Sequence, residues 1–353
     1  DANADFDLAT RATPDEVRAL FRHTVDVGIE FGTVGVLDAD RTLHEVTTFR
    51  RDVSTDGRRA VVAFGATLDE DLARRDFTIN AIAYHPIRHE WRDPFHGFDD
   101  LDAKVVRAVG TPSERFHEDF LRILRGVRFA ARFDFVIEPA TWSAALAARP
   151  GLAGLSAERV RDEWSKSLRT ARSLPRLLDL WRAVIDGSPW MPELRPAPPR
   201  DPGKDFPRDP VLLTAFLADR PAALLERLKS SGAEIGRAAA IAAGPPAPAG
   251  EGEADVRRWL SRVTPPVARD LVALHTIATG QAPPWSTAMQ LILDRGDPLD
   301  RGALAVSGSD LMAAGIPKGP ELGHALQRLL DFVLDDPARN TRDALLGHAK
   351  AAP

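Results

Sequence analysis

The chain has 353 residues, of which 44% are hydrophobic and 27% are charged, a composition typical of a globular protein with two or more domains. No apolar run approaches the roughly 20 residues of a membrane span, and the net charge of −5 argues against indiscriminate polyanion binding. The absence of cysteine excludes disulfides, zinc–thiolate sites and thiol catalysis, and with no signal peptide before Asp1 we expect a cytoplasmic protein without membrane segments.

The region from Asp5 to about Val109 has the pattern of a mixed α/β fold. Phe6 and Leu8 alternate with polar residues as in a strand, and Pro14 opens a helix. Two β-branched runs joined by a polar tetrapeptide predict a hairpin, and the polar segment 50–59 is predicted to be a mobile loop before a short strand. The three later strands are predicted at 32–37, 43–49 and 60–64.

The sequence from Ser113 onward has helical periodicity. Two proline-rich stretches, 187–210 and 244–252, interrupt this pattern. Such segments have few apolar side chains with which to form a core, so we expect the domain boundaries there.

Three carboxylates are candidates for binding metal ions. Asp5 and Asp7 are two residues apart, so on a strand they point to the same face, where two hard cations could bind. Glu45 lies on a later strand and could add a third carboxylate if the two strands pair. The alternative is that these side chains are solvated positions on an exposed sheet face.

The run from Asp69 to Ala81 is unusually dense in opposed charges. Arg74, Arg75 and Asp76 are consecutive, so they point in different directions and cannot form one surface ladder on a helix. Arginine can clamp phosphate oxygens while a nearby Asp or Asn, here Asn80, bonds a ribose hydroxyl. The alternative is an internal network of ion pairs.

A third constellation lies between Glu118 and Phe129. At 100° per residue, Arg122, Arg125 and Arg128 form a cationic arc opposite an apolar one, with Asp119 one turn before Arg122. This arc predicts a phosphate-binding face, and Asp119 with Arg122 could hydrogen-bond a nucleobase edge as acceptor and donor. The alternative is that the arginines pair with acids elsewhere in the fold.

Five ordered motifs resemble those of bacterial tRNA nucleotidyltransferases and poly(A) polymerases, and the resemblance is closest to CCA-adding enzymes. It continues through Ser156–Arg159 and reappears between Gly308 and Thr341. The five motifs are Asp5–Thr10, Glu45–Arg50, Arg74–Ala81, Asp93–Leu101 and Glu118–Arg122.

The resemblance implies an α+β fold: a polymerase-beta-like mixed β-sheet head followed by an all-helical neck, body and tail. The head would occupy residues 1–110, the neck with its nucleotide-selecting helix 111–180, the body 181–299 and the tail 300–353. The family places a glycine-rich turn about ten residues before its first metal aspartate. Only four residues precede Asp5, so we expect a chain lacking that turn.

The implied activity is template-independent addition of C and A nucleotides from CTP and ATP to the 3′ end of tRNA. Asp5, Asp7 and Glu45 would be catalytic, with Asp5 and Asp7 holding Mg²⁺. Nucleotide binding is assigned to Arg74, Arg75, Asp76, Asn80, Asp119, Arg122, Arg125 and Arg128.

Other activities of the same class stay open: CC-only addition, A-only addition and poly(A) synthesis. An RNA-binding protein that has lost catalysis is the alternative from a different class.

Overall fold

The computed structural model describes residues 7–55, 60–197, 200–203 and 206–351. It divides into two compact units, Asp1–Pro192 and Glu193–Pro353, whose boundary falls inside the first proline-rich stretch. In the described part of the chain, no helix is both long and apolar enough to cross a membrane.

The first unit begins with a four-stranded sheet packed on a short helix. The strand order is β1-β4-β3-β2, with β1 and β4 parallel and the other neighbours antiparallel. One face of the sheet is buried because Val34, Val36 and Val46 pack against Val17 of the helix. The elements are β1 (Leu8–Thr10), α1 (Pro14–Leu20), β2 (Thr24–Gly28), β3 (Thr33–Leu37) and β4 (Leu43–Thr48).

A second set of short elements follows the sheet. The prediction of a loop over residues 50–59 is wrong for residues 50–55, which form a strand that pairs antiparallel with the next one. This pairing satisfies the hydrogen bonds of their backbone groups, and the polar side chains of the segment gave no sign of it. Residues 56–59 lie outside the described part. The elements are β5 (Arg50–Thr55), β6 (Ala60–Phe64), α2 (Leu68–Ala73), β7 (Ala83–His85), β8 (Glu90–Arg92), α3 (Gly97–Ala103) and β9 (Val105–Val106).

Helices then complete the first unit. Leu124, Val127, Trp164 and Trp181 form part of the core between them. Gly126 contacts the Phe77 ring so closely that a Cβ there would lie 2.9 Å from Phe77 Cζ, so a side chain at this position would push the helix away from the head. The elements are α4 (Pro112–Glu118), α5 (Leu121–Phe133), β10 (Val136–Ile137), α6 (Pro139–Ala148), α7 (Ala157–Thr170) and α8 (Leu174–Ile185).

The second unit is helical in its described residues. Trp259 and Trp285 pack edge to face in one apolar cluster, and Leu311, Val333 and Leu345 belong to another. The elements are α9 (Pro210–Leu217), α10 (Pro221–Arg227), α11 (Gly232–Ala243), α12 (Glu253–Val263), α13 (Pro265–Thr279), α14 (Ser286–Arg295), α15 (Gly308–Ala313), α16 (Pro320–Asp335) and α17 (Arg342–Ala351).

The predicted α+β class, a mixed-sheet head followed by helices, is confirmed. The finer division into segments 1–110, 111–180, 181–299 and 300–353 stays a prediction.

Candidate active site

A cavity of about 670 Å³ lies between the sheet region and the helices of the first unit. Six arginines and four carboxylates line it, so an excess of positive charge faces the space. Seven of the eight predicted nucleotide-binding residues are among the lining residues. The full lining consists of Asp7, Arg50, Arg74, Arg75, Asp76, Asn80, Glu118, Asp119, Leu121, Arg122, Arg125, Phe129 and Arg159.

Two of the arginines are held by one buried carboxylate, Asp71. Its Oδ1 accepts from Arg74 Nε at 3.0 Å and its Oδ2 from Arg75 Nη2 at 3.1 Å. The backbone amide of Arg50 also donates to it, at 3.3 Å. Because Asp71 is 1% exposed, it fixes both guanidinium groups at the end of α2. Sequence reasoning did not single out this residue, although it stands one turn before Arg75.

Asp76 connects the turn after α2 to helix α5. Its Oδ2 accepts from Arg125 Nε at 2.6 Å, and its Oδ1 accepts from Asn80 Nδ2 at 3.0 Å and from the Phe77 amide at 2.9 Å. Burial opposes ionisation of Asp76, but the charge of Arg125 and these hydrogen bonds outweigh it, so the pKa of Asp76 lies below its ordinary value. Asp76, Asn80 and Arg125 therefore meet as one charged group.

The backbone breaks at Asp119, so the uninterrupted helix assumed for residues 119–128 is wrong. Helix α4 ends at Glu118, Asp119 is extended with φ −156° and ψ 108°, and α5 begins at Leu121. Asp119 Oδ1 accepts from the Leu121 amide at 3.0 Å, which satisfies one of the free amides at the start of α5. The break occurs because a carboxylate that bonds the backbone two residues ahead competes with helix continuation.

The two side chains predicted to read a base edge both line the cavity, and each has partners within the protein. Asp119 Oδ2 accepts from Arg159 Nη2 at 2.7 Å. Arg122 donates to Glu118, to the Arg115 carbonyl at 3.0 Å and to the Arg74 carbonyl at 3.0 Å. Donor and acceptor are thus oriented by the protein before any ligand is present.

Arg128 does not line the cavity. It is 8% exposed, its Nε donates to Glu163 of α7 at 2.6 Å, and its guanidinium lies 4.3 Å from the centroid of the Phe129 ring. This pair joins α5 to α7, as in the alternative in which an arginine of the arc pairs with an acid elsewhere. A phosphate-binding role for Arg128 stays a prediction.

The three predicted catalytic carboxylates are only partly described. Asp5 lies outside the described residues, whereas Asp7 is exposed and lines the cavity. Glu45 is exposed on β4 and does not line the cavity, but Leu8 is level with Val46, so the register continued by one residue places Asp7 beside Glu45. Within the part of the chain that the structure describes, no group of three or more acidic or histidine side chains is placed to hold a metal ion.

Four charged residues of the site were not predicted to belong to it: Arg50, Asp71, Glu118 and Arg159. Arg50, Glu118 and Arg159 stand inside motifs that carry the family resemblance, so a signal for them existed. Asp71 had no such signal, because only the folded chain shows that its oxygens meet both Arg74 and Arg75.

Two separate regions of the chain match family models. Residues 1–107 match a family model described as the poly A polymerase head domain, and residues 134–184 match one described as a probable RNA and SrmB-binding site of polymerase A. Together these matches include most of the residues that line the cavity.

Among curated relatives, the CCA-adding enzyme of Streptococcus pneumoniae serotype 19F (strain G54) is 50% identical over 166 residues, 46% of this chain and 41% of the relative. The CCA-adding enzyme of Streptococcus gordonii (strain Challis) is 50% identical over 184 residues, 52% of this chain and 44% of the relative. The matched region thus spans less than half the length of these relatives.

Among solved structures, the Bacillus stearothermophilus CCA-adding enzyme in complex with CTP is 29% identical, with a TM-score of 0.81. The match covers 99% of this chain and 88% of that chain. The likeness therefore includes the helical second unit, for which the sequence offered few motifs.

Proposed function

We propose that the chain is a member of the family of tRNA nucleotidyltransferases and poly(A) polymerases and that it adds C and A nucleotides from CTP and ATP, without a template, to the 3′ end of tRNA. The observation that carries the proposal is the arginine-lined cavity, which has Asp7 in its lining together with the acceptor Asp119 and the donor Arg122.

The arginines of the cavity suit a nucleoside triphosphate. Arg74, Arg75 and Arg125 each use part of the guanidinium on Asp71 or Asp76, which leaves other N–H groups for phosphate oxygens. Arg75 Nε and Arg159 Nη1 are buried and have no hydrogen-bond acceptor among the described residues.

Asp7, which precedes β1, and Glu45 on the neighbouring strand β4 offer carboxylate oxygens that suit a divalent cation, which we propose to be Mg²⁺, with Asp5 as a further ligand implied by the sequence motif. When bound, the cation would activate the RNA 3′ hydroxyl and neutralise charge on the departing pyrophosphate. The protein's part is to position the α-phosphate and the hydroxyl beside these carboxylates, while the arginines orient the rest of the nucleotide.

Base selection would follow from hydrogen-bond complementarity at Asp119 and Arg122. Cytosine and adenine both carry an exocyclic amine beside an acceptor, which suits a carboxylate acceptor next to a guanidinium donor. Uracil and guanine present a carbonyl and an N–H at those positions and would leave both side chains mispaired. Since Arg159 and Glu118 already hold the two groups, little reorganisation is needed when the base binds.

The direct test is incubation of the protein with Mg²⁺, labelled CTP or ATP, and tRNA transcripts ending before CCA, after C and after CC. We expect CCA, CA and A to be added respectively. Addition of A only to the third transcript would indicate an A-adding enzyme, CC alone a CC-adding enzyme, and long A tracts a poly(A) polymerase. Specific RNA binding without incorporation by the folded protein would contradict the proposal. The cytoplasmic location stays a prediction.

A further inference from the structure

Phe120 occupies the break between α4 and α5, directly after Asp119. Its backbone is helical, with φ −62° and ψ −20°, and its carbonyl accepts from the Ile123 amide at 3.1 Å as α5 begins. Asp119 before it is extended, so the chain changes conformation between these two residues. The position of Phe120 therefore decides both where α5 starts and where the Asp119 carboxylate stands.

The Phe120 side chain packs directly on the backbone of Gly151. A Cβ at position 151 would overlap three carbons of the Phe120 ring. The φ angle of Gly151 lies outside the left-handed region, so the backbone conformation does not itself require glycine there. Glycine is thus needed at this position for space, because the ring occupies the volume that a side chain would fill.

Gly151 belongs to a segment that is itself held in place. It lies in a 3₁₀ turn between α6 and α7 whose Leu152 is fully buried, and the Leu152 carbonyl accepts from Trp190 Nε1 at 2.7 Å. The turn leads into α7, which carries Arg159, the partner of Asp119. The break between α4 and α5 is therefore attached to this connection at two points, one an aromatic contact and the other an ion pair.

We propose that the contact between Phe120 and Gly151 positions the Asp119 carboxylate for hydrogen bonding to the nucleobase. Neither residue lines the cavity, so each acts through Asp119 rather than on the nucleotide itself. Asp119 is held by hydrogen bonds of 3.0 Å to the Leu121 amide and 2.7 Å to Arg159, and a shift of about 1 Å takes such bonds beyond hydrogen-bond length. This inference rests on the proposed function, because it takes Asp119 as the acceptor that reads the base.

A displaced Asp119 carboxylate would affect recognition of the base more than binding of the phosphates. The phosphates are assigned to arginines that are anchored elsewhere, since Asp71 holds Arg74 and Arg75. The contact is therefore expected to control which nucleotide is selected rather than nucleotide binding in general.

The test inserts one methyl group under the ring. Gly151→Ala creates the overlap, and Gly154→Ala is the matched control, since it makes the same change in the same turn, where no described atom lies within 4 Å of the added carbon. Phe120→Ala removes the ring, and the double variant carries both Phe120→Ala and Gly151→Ala. The affinities of the full chain for CTP, ATP, UTP and GTP are measured by isothermal titration calorimetry without RNA, so the measurement does not depend on turnover.

We expect the ratio of CTP affinity to UTP affinity to fall about tenfold in Gly151→Ala, because the displaced Asp119 no longer meets the exocyclic amine. Gly154→Ala should keep the parent ratio. Phe120→Ala should lose part of the discrimination, and the double variant should equal Phe120→Ala because no ring is left to displace. Parent-like discrimination in Gly151→Ala or in Phe120→Ala, or an equal loss of affinity for all four nucleotides, would overturn the proposal. If Gly151→Ala does not fold, the comparison of Phe120→Ala with the parent decides.

A crystal structure of the Gly151→Ala protein separates this inference from the proposed function. If the parent itself does not discriminate CTP from UTP, base reading by Asp119 is wrong, and the positioning role is then judged by that structure alone. We expect the hydrogen bond of 2.7 Å between Asp119 and Arg159 to be broken in it. An intact bond beside a rotated Phe120 ring would overturn the positioning role.

Discussion

Arginine–carboxylate networks occur in both units of the molecule, but the surroundings of the arginines differ. In the second unit the arginine described below is enclosed by protein acceptors, whereas in the first unit arginines line a cavity. In the second unit, Arg257 is 4% exposed and donates to the Leu334 and Asp335 carbonyls and to the carboxylates of Glu253 and Asp297. This arginine joins α12 to the end of α16 with its donors bound to protein acceptors. It is a structural crosslink.

At Asp71 and Asp76 in the first unit, the carboxylates are the buried partners and the arginines reach the cavity. Asp71 and Asp76 are 1% and 7% exposed, whereas the side chains of Arg75 and Arg125 are about one-third exposed, at 31% and 34%. We therefore expect the same chemistry to stabilise the fold where the arginine is enclosed, and to bind ligand where only the acid is enclosed. Variants of each network should fail in different measurements.

The largest effect is expected at the cavity carboxylate that touches no arginine in the described structure. Asp7→Asn keeps the shape but removes the charge that would hold a cation, so we expect nucleotide addition to fall by at least about 10³-fold. Asp5→Asn should behave alike. RNA affinity should not change, because phosphate contacts by arginine do not need the metal. Near-parent turnover in a labelled-CTP assay would remove the metal assignment.

Arg257→Gln should lower the free energy of unfolding by about 1–3 kcal/mol, because the Leu334 and Asp335 carbonyls and the Asp297 carboxylate lose a donor, while Asp297 keeps its pair with Arg295. Urea unfolding followed by circular dichroism measures this loss. At a temperature where the variant is folded, KM for CTP should equal the parent value. A changed KM with unchanged stability would show that the crosslink is not merely structural.

Asp71→Asn should have the opposite effect, a change in KM with little change in stability. It retains a side chain of the same size but frees Arg74 and Arg75 from their shared anchor, so KM for CTP and ATP should rise about 10- to 100-fold. The positioning role predicts that kcat changes less than KM and that stability changes less than in Arg257→Gln. Glu70→Gln, an exposed neighbour on α2, is the control, and an equal effect there would exclude the anchor.

Asp119→Ala should separate selection of the base from binding of the nucleotide. Removing the acceptor should reduce discrimination against UTP and GTP by about one to two decades in kcat/KM, since each mispaired polar group costs about 1–3 kcal/mol. The four nucleotides are compared on a tRNA transcript ending before CCA. A uniform loss of rate with unchanged selectivity would mean that selection occurs elsewhere.

The smallest effect concerns acid stability. The pKa of Asp76 is lowered in the folded protein, so its contribution is complete above the ordinary value of 3.8 and is lost as pH falls through the lower folded value. Between pH 7 and 5 the Tm difference between parent and Asp76→Asn should therefore be constant, and it should shrink below about pH 4. A difference that already shrinks between pH 7 and 5 would contradict the lowered pKa.

Local patterns in the sequence determined much about this protein. Alternation and periodicity indicated a mixed sheet followed by helices, and the residue types around Arg74, Asp119 and Arg122 indicated a polyanion site. The fold inference succeeded because amphipathic spacing is a property of short windows, which the fold then preserves, whereas the polyanion site stays a prediction. The resemblance added the reaction class through motifs that occur in order.

Tertiary structure alone decided which charged groups meet. Asp76 pairs with Arg125 across 49 residues, Asp119 with Arg159 across 40 and Arg128 with Glu163 across 35, and no local periodicity specifies such partners. The prediction of one continuous helix through Asp119 failed because the Asp119 carboxylate accepts a hydrogen bond from the backbone at the start of α5. The loop prediction failed at residues 50–55 because a neighbouring strand supplies backbone hydrogen bonds. An arginine can bind a ligand when only its carboxylate partner is buried, and it crosslinks helices when the arginine itself is buried. Which of the two is buried is a property of the packed chain.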